Sequence, residues 1–226
     1  MQNSSKQNLN AAYVLQNGSK TKVWPSHLEI DYFGDGNMNE YWENSTSGHA
    51  NVISGSIGPS GSSSHLEIDN RRVISKDGDG LPNYPHWGDT WEFYFKPTNF
   101  RNTPGIFRCN FHNNHYNTDD LYRIEWESDP TSGSDMSLEK RLNGSNVKIQ
   151  ATGDGLGIKT GITYRVTVEM RQSDYTIIVN WYDYDNNNHL RQLSLSDSSN
   201  PISGSAVSFF TNAYVVCQIG SVRILP

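Results

Sequence analysis

The stretch Gly88-Asp89-Thr90-Trp91-Glu92-Phe93-Tyr94-Phe95-Lys96 constrains the chain more than any other. Along an extended backbone Trp91, Phe93 and Phe95 fall on one side, and Glu92, Tyr94 and Lys96 on the other. A period of two in an aromatic run predicts a half-buried strand. The pattern returns at 105–112, 121–127, 162–170 and 175–183, with turn clusters between the runs at spacings near a dozen residues. Further short strands are expected at 27–33, 49–54, 64–69, 72–76, 136–141, 147–151, 189–195, 205–211 and 222–225. Many short strands, regular turns and no segment of period 3.6 predict an all-β sandwich or barrel.

The chain has 226 residues, a length that suits one large β domain able to bury its own core. Only 35% of residues are hydrophobic while 12% are aromatic, so that core must be built from rings more than from aliphatic side chains. The net charge of −6 and the lack of any basic run exclude a nucleic-acid partner, which needs clustered Lys and Arg. No apolar run approaches the roughly 20 residues of a membrane-spanning helix, so no membrane insertion is expected.

Residues 1–26 are polar and read as an arm or linker, with a short strand at 12–15; residues 27–226 read as the sandwich. Such an arm can order against a neighbouring subunit and so support a homo-oligomer. The first ten residues contain no apolar leader, yet the abundance of Asn and Ser and the sequons at Asn3, Asn17, Asn44 and Asn143 suit an extracellular surface. A trimmed chain, a domain cut from a larger secreted protein and a component of a virion would each reconcile the two. Cys109 and Cys217 read either as two buried thiols or as one bridge closing a long loop, and they are too few for a zinc site.

Six segments in order carry a family resemblance. They are Phe33-Gly34-Asp35-Gly36, then 84–94 around Trp87-Gly88-Asp89-Thr90-Trp91, then Leu121-Tyr122-Arg123-Ile124-Glu125. Gly161-Ile162-Thr163-Tyr164-Arg165-Val166-Thr167-Val168-Glu169, Tyr182-Asp183-Tyr184-Asp185 and Val222-Arg223-Ile224 complete the set. Over residues 28–226 the chain resembles the concanavalin A-like (laminin G-like) jelly roll of secreted, surface and virion proteins. The resemblance implies two stacked antiparallel sheets, one of them curved, with a concave face that often holds glycan. It also implies a structural Ca2+ near the first strand, for which Asp31, Asp35 and Asn37 are the candidate ligands. Acidic turns at Asp77-Gly78-Asp79-Gly80 and at 183–187 read as turn formers.

The polar sides of the predicted strands supply the candidate ligand residues: Glu92 and Tyr94, then Arg108, Asn110 and His112, then Arg123 and Glu125. Lys96, Glu127, Arg165, Thr167, Glu169, Asn180 and Tyr182 extend the rows. If consecutive strands share one sheet, these side chains form one patch of donors, carboxylates and rings suited to sugar hydroxyls. The alternative is an ordinary solvated face with cross-strand ion pairs.

Enzymatic readings are weaker. The laminarinase-like pattern Glu-x-Asp-x-x-Glu begins at Glu29-Ile30-Asp31 and at Glu67-Ile68-Asp69, but Gly34 and Arg72 stand where the closing Glu belongs, so the second carboxylate of a glycosidase is missing. A polysaccharide lyase could draw on Arg108, Asn110, His112, Tyr94 and Arg123, yet the Gln-Ile-His strand of the alginate-lyase-like enzymes is absent. No serine sits in a strand–elbow–helix context. The expectation is a non-catalytic extracellular module that binds glycan or packs among surface or virion proteins, about 4–5 kcal/mol more stable if the cysteines bridge. A polysaccharide lyase or glycoside hydrolase on the same fold is the alternative to it.

Overall fold

A computed structural model describes residues 12–16, 19–24, 28–31, 42–44, 49–59, 64–75, 84–102, 104–113, 119–129, 133–152 and 158–226. Among them all regular structure is strand. In chain order the strands are β1 (Ala12–Gln16), β2 (Ser19–Trp24), β3 (Leu28–Asp31), β4 (Trp42–Asn44), β5 (His49–Ser54), β6 (Ser64–Asp69), β7 (Arg72–Ser75), β8 (Thr90–Phe100) and β9 (Gly105–Asn113). They continue as β10 (Leu121–Asp129), β11 (Gly133–Leu142), β12 (Ser145–Thr152), β13 (Tyr164–Arg171), β14 (Thr176–Asp183), β15 (Asn188–Ser196), β16 (Ala206–Thr211) and β17 (Val215–Leu225). No helix among the described residues is long and apolar enough to cross a membrane.

Two antiparallel sheets stack as a sandwich. One has seven strands in the order β12-β11-β10-β9-β16-β7-β4. The other has eight, in the order β15-β14-β13-β8-β17-β6-β5, with β3 also paired to β17. The hexapeptide that occurs at 26–31 and again at 64–69 contributes β3 and β6, and both pair with β17 at successive stretches of it. Among the described residues β1 and β2 pair only with each other. The polar run at 19–22 carries no apolar alternation, so β2 is defined by its backbone pairing and is not visible in the sequence pattern.

The alternation places the rings between the sheets. Trp91, Phe93 and Phe95 of β8 are fully buried and meet Phe107, Phe111 and Phe209 of the facing sheet. Phe95 stacks on Phe107 at 4.8 Å between centroids, Phe93 meets Phe209 edge-on at 5.3 Å, and Trp91 meets Phe111 at 5.6 Å. Each such pair contributes roughly 0.5–1.5 kcal/mol beyond its buried area. Cys109 and Cys217 lie in opposite sheets, both buried and both free. The bridged alternative therefore drops out, and burial pushes both thiols above their usual range.

Two features depart from the sequence reading. The single patch supposes that consecutive strands share one sheet, yet β8 and β9 belong to different sheets, so the chain crosses the sandwich there. The stretch at 54–61 reads as a flexible loop, but residues 55–59 lie against the outer face of the eight-stranded sheet. Ile57 is buried, and the ring of Tyr94 fills the space where a side chain on Gly58 would sit. Apolar Ile57 gains more from burial than a polar loop residue would, which anchors the segment.

Candidate functional site

The crossing between β8 and β9 divides the candidate residues. Glu92 and Tyr94 face outward from the eight-stranded sheet, whereas Arg108, Asn110, Arg123 and Glu125 face outward from the seven-stranded one. The single patch expected from consecutive strands therefore does not form. The two groups lie on opposite outsides of the sandwich, with the aromatic core between them.

Glu92 is fully buried despite facing outward. Its carboxylate accepts from Arg165 Nε at 2.6 Å, from Arg223 Nε at 2.5 Å and from Tyr94 Oη at 2.9 Å. Tyr94 is covered in turn by Tyr184, at 5.0 Å between centroids, and by residue 58. Both carboxylate oxygens of Glu92 and the Tyr94 hydroxyl are engaged internally, which makes the group a brace joining β8, β13 and β17. The strand first read as half-buried is thus covered on both sides.

His112 is not on either outer face. Its φ of 52° reverses the side chain, and β9 carries one extra residue there relative to β16. The imidazole lies inside one end of the sandwich, stacked on Trp87 at 5.3 Å, with Nε2 3.2 Å from Met170 Sδ. Alternation alone puts residue 112 outside; the bulge puts both Phe111 and His112 inside.

Burial, helped by nearby His86, lowers the His112 pKa to about 4 from the ordinary 6.5. The unfolded chain therefore takes up a proton below pH 6.5 that the folded chain refuses until about pH 4. Stability present above pH 6.5 is lost as pH falls through that window, by roughly 2–3 kcal/mol at pH 4.5. Urea unfolding of the parent at pH 7 and pH 4.5 should show this drop, and His112→Phe should remove most of it. An equal drop in both proteins would locate the acid sensitivity elsewhere.

The outer face of the seven-stranded sheet is built by cross-strand register. Glu139 of β11 lies opposite Arg123 of β10, Arg123 opposite Asn110 of β9, and Asn110 opposite Ser208 of β16. The neighbouring row runs Ser137, Glu125, Arg108, Phe210 and Arg72 across β11, β10, β9, β16 and β7. Arg123 Nε donates to Asn110 Oδ1 at 2.9 Å, and Asn110 Nδ2 donates to Ser208 Oγ at 2.9 Å. Arg108 Nε donates to Glu125, and its guanidinium lies 5.3 Å from the ring centroid of Phe210. Ser137 Oγ donates to Glu139 Oε1 at 2.9 Å.

This face is deepest along the Arg123 row and opens toward Arg108. The side chains of Arg123 and Glu139 are each 8% exposed, against 27% for Arg108. Among the described residues Glu139 Oε2 is buried and accepts no hydrogen bond; Arg123 Nη1 stands 3.8 Å away, too far to supply one. Burial, with Arg108 and Arg141 adding like charge, lowers the Arg123 pKa to about 10. Arg72 is lowered in the same way, by burial and then by Arg108. Sequence reasoning found Arg108, Asn110, Arg123 and Glu125 but missed Glu139, Ser208, Phe210 and Arg72. Their alternation within β7, β11 and β16 was available, but which strands lie beside β9 and β10 was not.

The other candidates either lie outside the described residues or are dispersed. Asp35 and Asn37 lie outside the described residues, and only the backbone of Asp31 is described. Among the described residues no three His, Cys, Asp or Glu side chains converge as a metal would require. In the turn after β14, Asp183 accepts from the backbone and side chain of Asn186, which is what a turn former does. The incomplete glycosidase pattern is dispersed: Glu67 accepts from Gln218, Asp69 grips Arg101 with contacts of 2.6 and 2.7 Å, and Arg72 is in the other sheet. The lyase set is dispersed too, because Tyr94 and His112, its two proton carriers, share no face with Arg108.

No protein-family model matches the sequence, and no curated sequence does either. Solved structures match the fold. The carbohydrate-binding module CBM66 from Bacillus subtilis aligns over 84% of this chain and 98% of its own, with 12% identity and a TM-score of 0.53. The Bacillus licheniformis beta-glucanase aligns over 90% of this chain and 100% of its own, with 9% identity and a TM-score of 0.54. A legume lectin-like domain from Entamoeba histolytica aligns over 90% and 98%, with 8% identity and a TM-score of 0.57. The fold is the concanavalin A-like jelly roll. At such identities the likeness fixes the layering of this jelly roll and leaves its chemistry to its own side chains.

Proposed function

We propose that this concanavalin A-like jelly roll is a non-catalytic glycan-binding module that works outside the cell, and that the outer face of its seven-stranded sheet is the binding face. Glu139 Oε2 carries the reading. A buried carboxylate oxygen without a hydrogen bond is uncommon in a folded protein, because it forfeits hydration and gains nothing in return. A sugar hydroxyl that enters as the Arg123 and Glu139 side chains part is a donor of the right kind to satisfy it. Arg123, Asn110 and Ser208 hold the surrounding polar groups in place, and the ring of Phe210 supplies apolar surface at the open end. A carbohydrate-binding module and a lectin-like domain among the structural neighbours support the same reading. The Asn- and Ser-rich composition suits a secreted or virion-borne surface protein, and fractionation should find the protein with the cell exterior or with particles.

Glycan-array screening of the whole chain should return binding to a restricted set of structures. Glu139→Gln keeps the shape but replaces the charged acceptor, and should weaken that binding at least about tenfold, the usual worth of a hydrogen bond to a charged group. Gln192→Ala, on the other sheet, should leave it unchanged. An array with no bound glycan, or a Glu139→Gln protein that binds like the parent, would remove the basis for this function.

A further inference from the structure

Exposed apolar side chains gather at one sheet edge. Among the described residues only Val147, Ile149 and Tyr214 are large, hydrophobic and exposed, and the first two belong to β12, at 50% and 57%. β12 closes the seven-stranded sheet: β11 pairs with one of its edges, and among the described residues no strand lies beside the other. On the edge strands of the eight-stranded sheet the exposed side chains are polar, as in His49 and Asn51 of β5 and Gln192, Ser194 and Ser196 of β15. A lysine commonly guards such an edge against pairing. Lys148 is drawn away from that task, because its Nζ donates to the Ser196 carbonyl at 2.6 Å and lies 3.4 Å from Asp197 Oδ1. We propose that β12 pairs antiparallel with β12 of a second copy of this chain, about a two-fold axis at Ile149.

The strand is self-complementary in that register. Ile149 meets the partner's Ile149, Val147 meets the partner's Ala151, and Lys148 meets the partner's Gln150. Moving the axis to residue 148 sets the two lysines against each other, and like charges directly opposite destabilise a strand pair. Moving it to residue 150 sets Ile149 against Ala151 and Val147 against Gly153, which buries less apolar surface. Val147 is the extra residue where β12 shifts register against β11, and there the pairing ends. A contact confined to 147–151 of each copy is small, which places it among weak and transient interfaces. The axis stands perpendicular to the sheet, so the two seven-stranded sheets run into one with their outer faces on the same side. Ile149 lies opposite Glu139, so the Glu139 residues of the two copies are three strand spacings apart, roughly 14–15 Å.

Sedimentation equilibrium of the whole chain should show monomer and dimer exchanging across the micromolar range. Ile149→Lys and Ile149→Glu each bring like charges together at the axis and should weaken dimerisation at least about a hundredfold. An equimolar mixture of the two sets Lys against Glu and should return to near the strength of the parent. Tyr214→Lys, at the remaining exposed apolar side chain, should dimerise like the parent. Residue 149 is exposed, so its variants should fold, which thermal unfolding checks. If one does not, Val147→Lys carries the result, with a loss of at least about tenfold. A parent that stays monomeric at every concentration overturns the proposal. So does a dimer that the single charges leave intact, or one that the mixture fails to restore, since either puts the contact elsewhere. A dimer seen only when glycan is added would assign the contact to the ligand and overturn it as well. The parent and its variants are measured without glycan, so their result is separate from the fate of the binding face.

Discussion

Asp197→Ala should destabilise the fold by about 3–5 kcal/mol, the largest loss expected from any single side chain here. Asp197 is fully buried at the end of β15. Its Oδ2 accepts from Tyr122 Oη at 2.5 Å and lies 2.6 Å from Lys140 Nζ, while Oδ1 lies 3.4 Å from Lys148 Nζ. Those three partners come from β10, β11 and β12 of the seven-stranded sheet, so one carboxylate pins the edge of the other sheet to all of them. Lys140 is only 3% exposed, and without Asp197 its ammonium would stay buried with the Asn200 carbonyl as its remaining acceptor. Tyr122 Oη also accepts from the Ile202 N–H, so the segment that follows β15 would loosen with it. Replacing both charges, as in Asp197→Leu with Lys140→Met, removes the stranded ion and should recover much of the loss. Urea unfolding of the two variants decides the matter. A change below about 1 kcal/mol in Asp197→Ala would mean that water already reaches the pair.

Gly220→Ala should cost about 3 kcal/mol or shift the segment at 55–59 off the sheet. A Cβ at residue 220 would fall 2.1 Å from the Ile57 carbonyl oxygen and 2.9 Å from its carbon, both backbone atoms that no rotamer change can move aside. The site sits where β17 carries one extra residue against β8, between the Ile219–Phe95 and Val222–Phe93 pairs. That bulge brings residue 220 up to the covering segment, and only a hydrogen side chain leaves room for it. Limited proteolysis should detect new cleavage within 55–59 in the variant together with a lower unfolding midpoint. Unchanged proteolysis and an unchanged midpoint would show that Ile57 does not rest on residue 220.

Both effects arise where the chain makes contacts that no local pattern announces. Alternation in 90–96 correctly places Trp91, Phe93 and Phe95 in the core, and alternation in 107–111 and 122–126 does the same for their partners. It also assigns Arg108, Asn110, Arg123 and Glu125 to a common outward side, and these four do meet. It fails at His112, where a single extra residue in the strand inverts the side chain. It fails as well for Glu92 and Tyr94, which have the right orientation but the wrong sheet.

The sequence by itself determined which segments are extended and which side of each is apolar, because a period of two is a property of neighbouring residues and needs no partner. Tertiary structure alone decided which strand lies beside which, and therefore which polar sides are joined into one face. Closing a longer loop costs only slightly more than closing a short one, so proximity in the chain is a weak guide to pairing. β9 takes β16 as its neighbour, from the far end of the chain, and leaves β8 to the opposite sheet because two ring-bearing faces are buried together only in that arrangement.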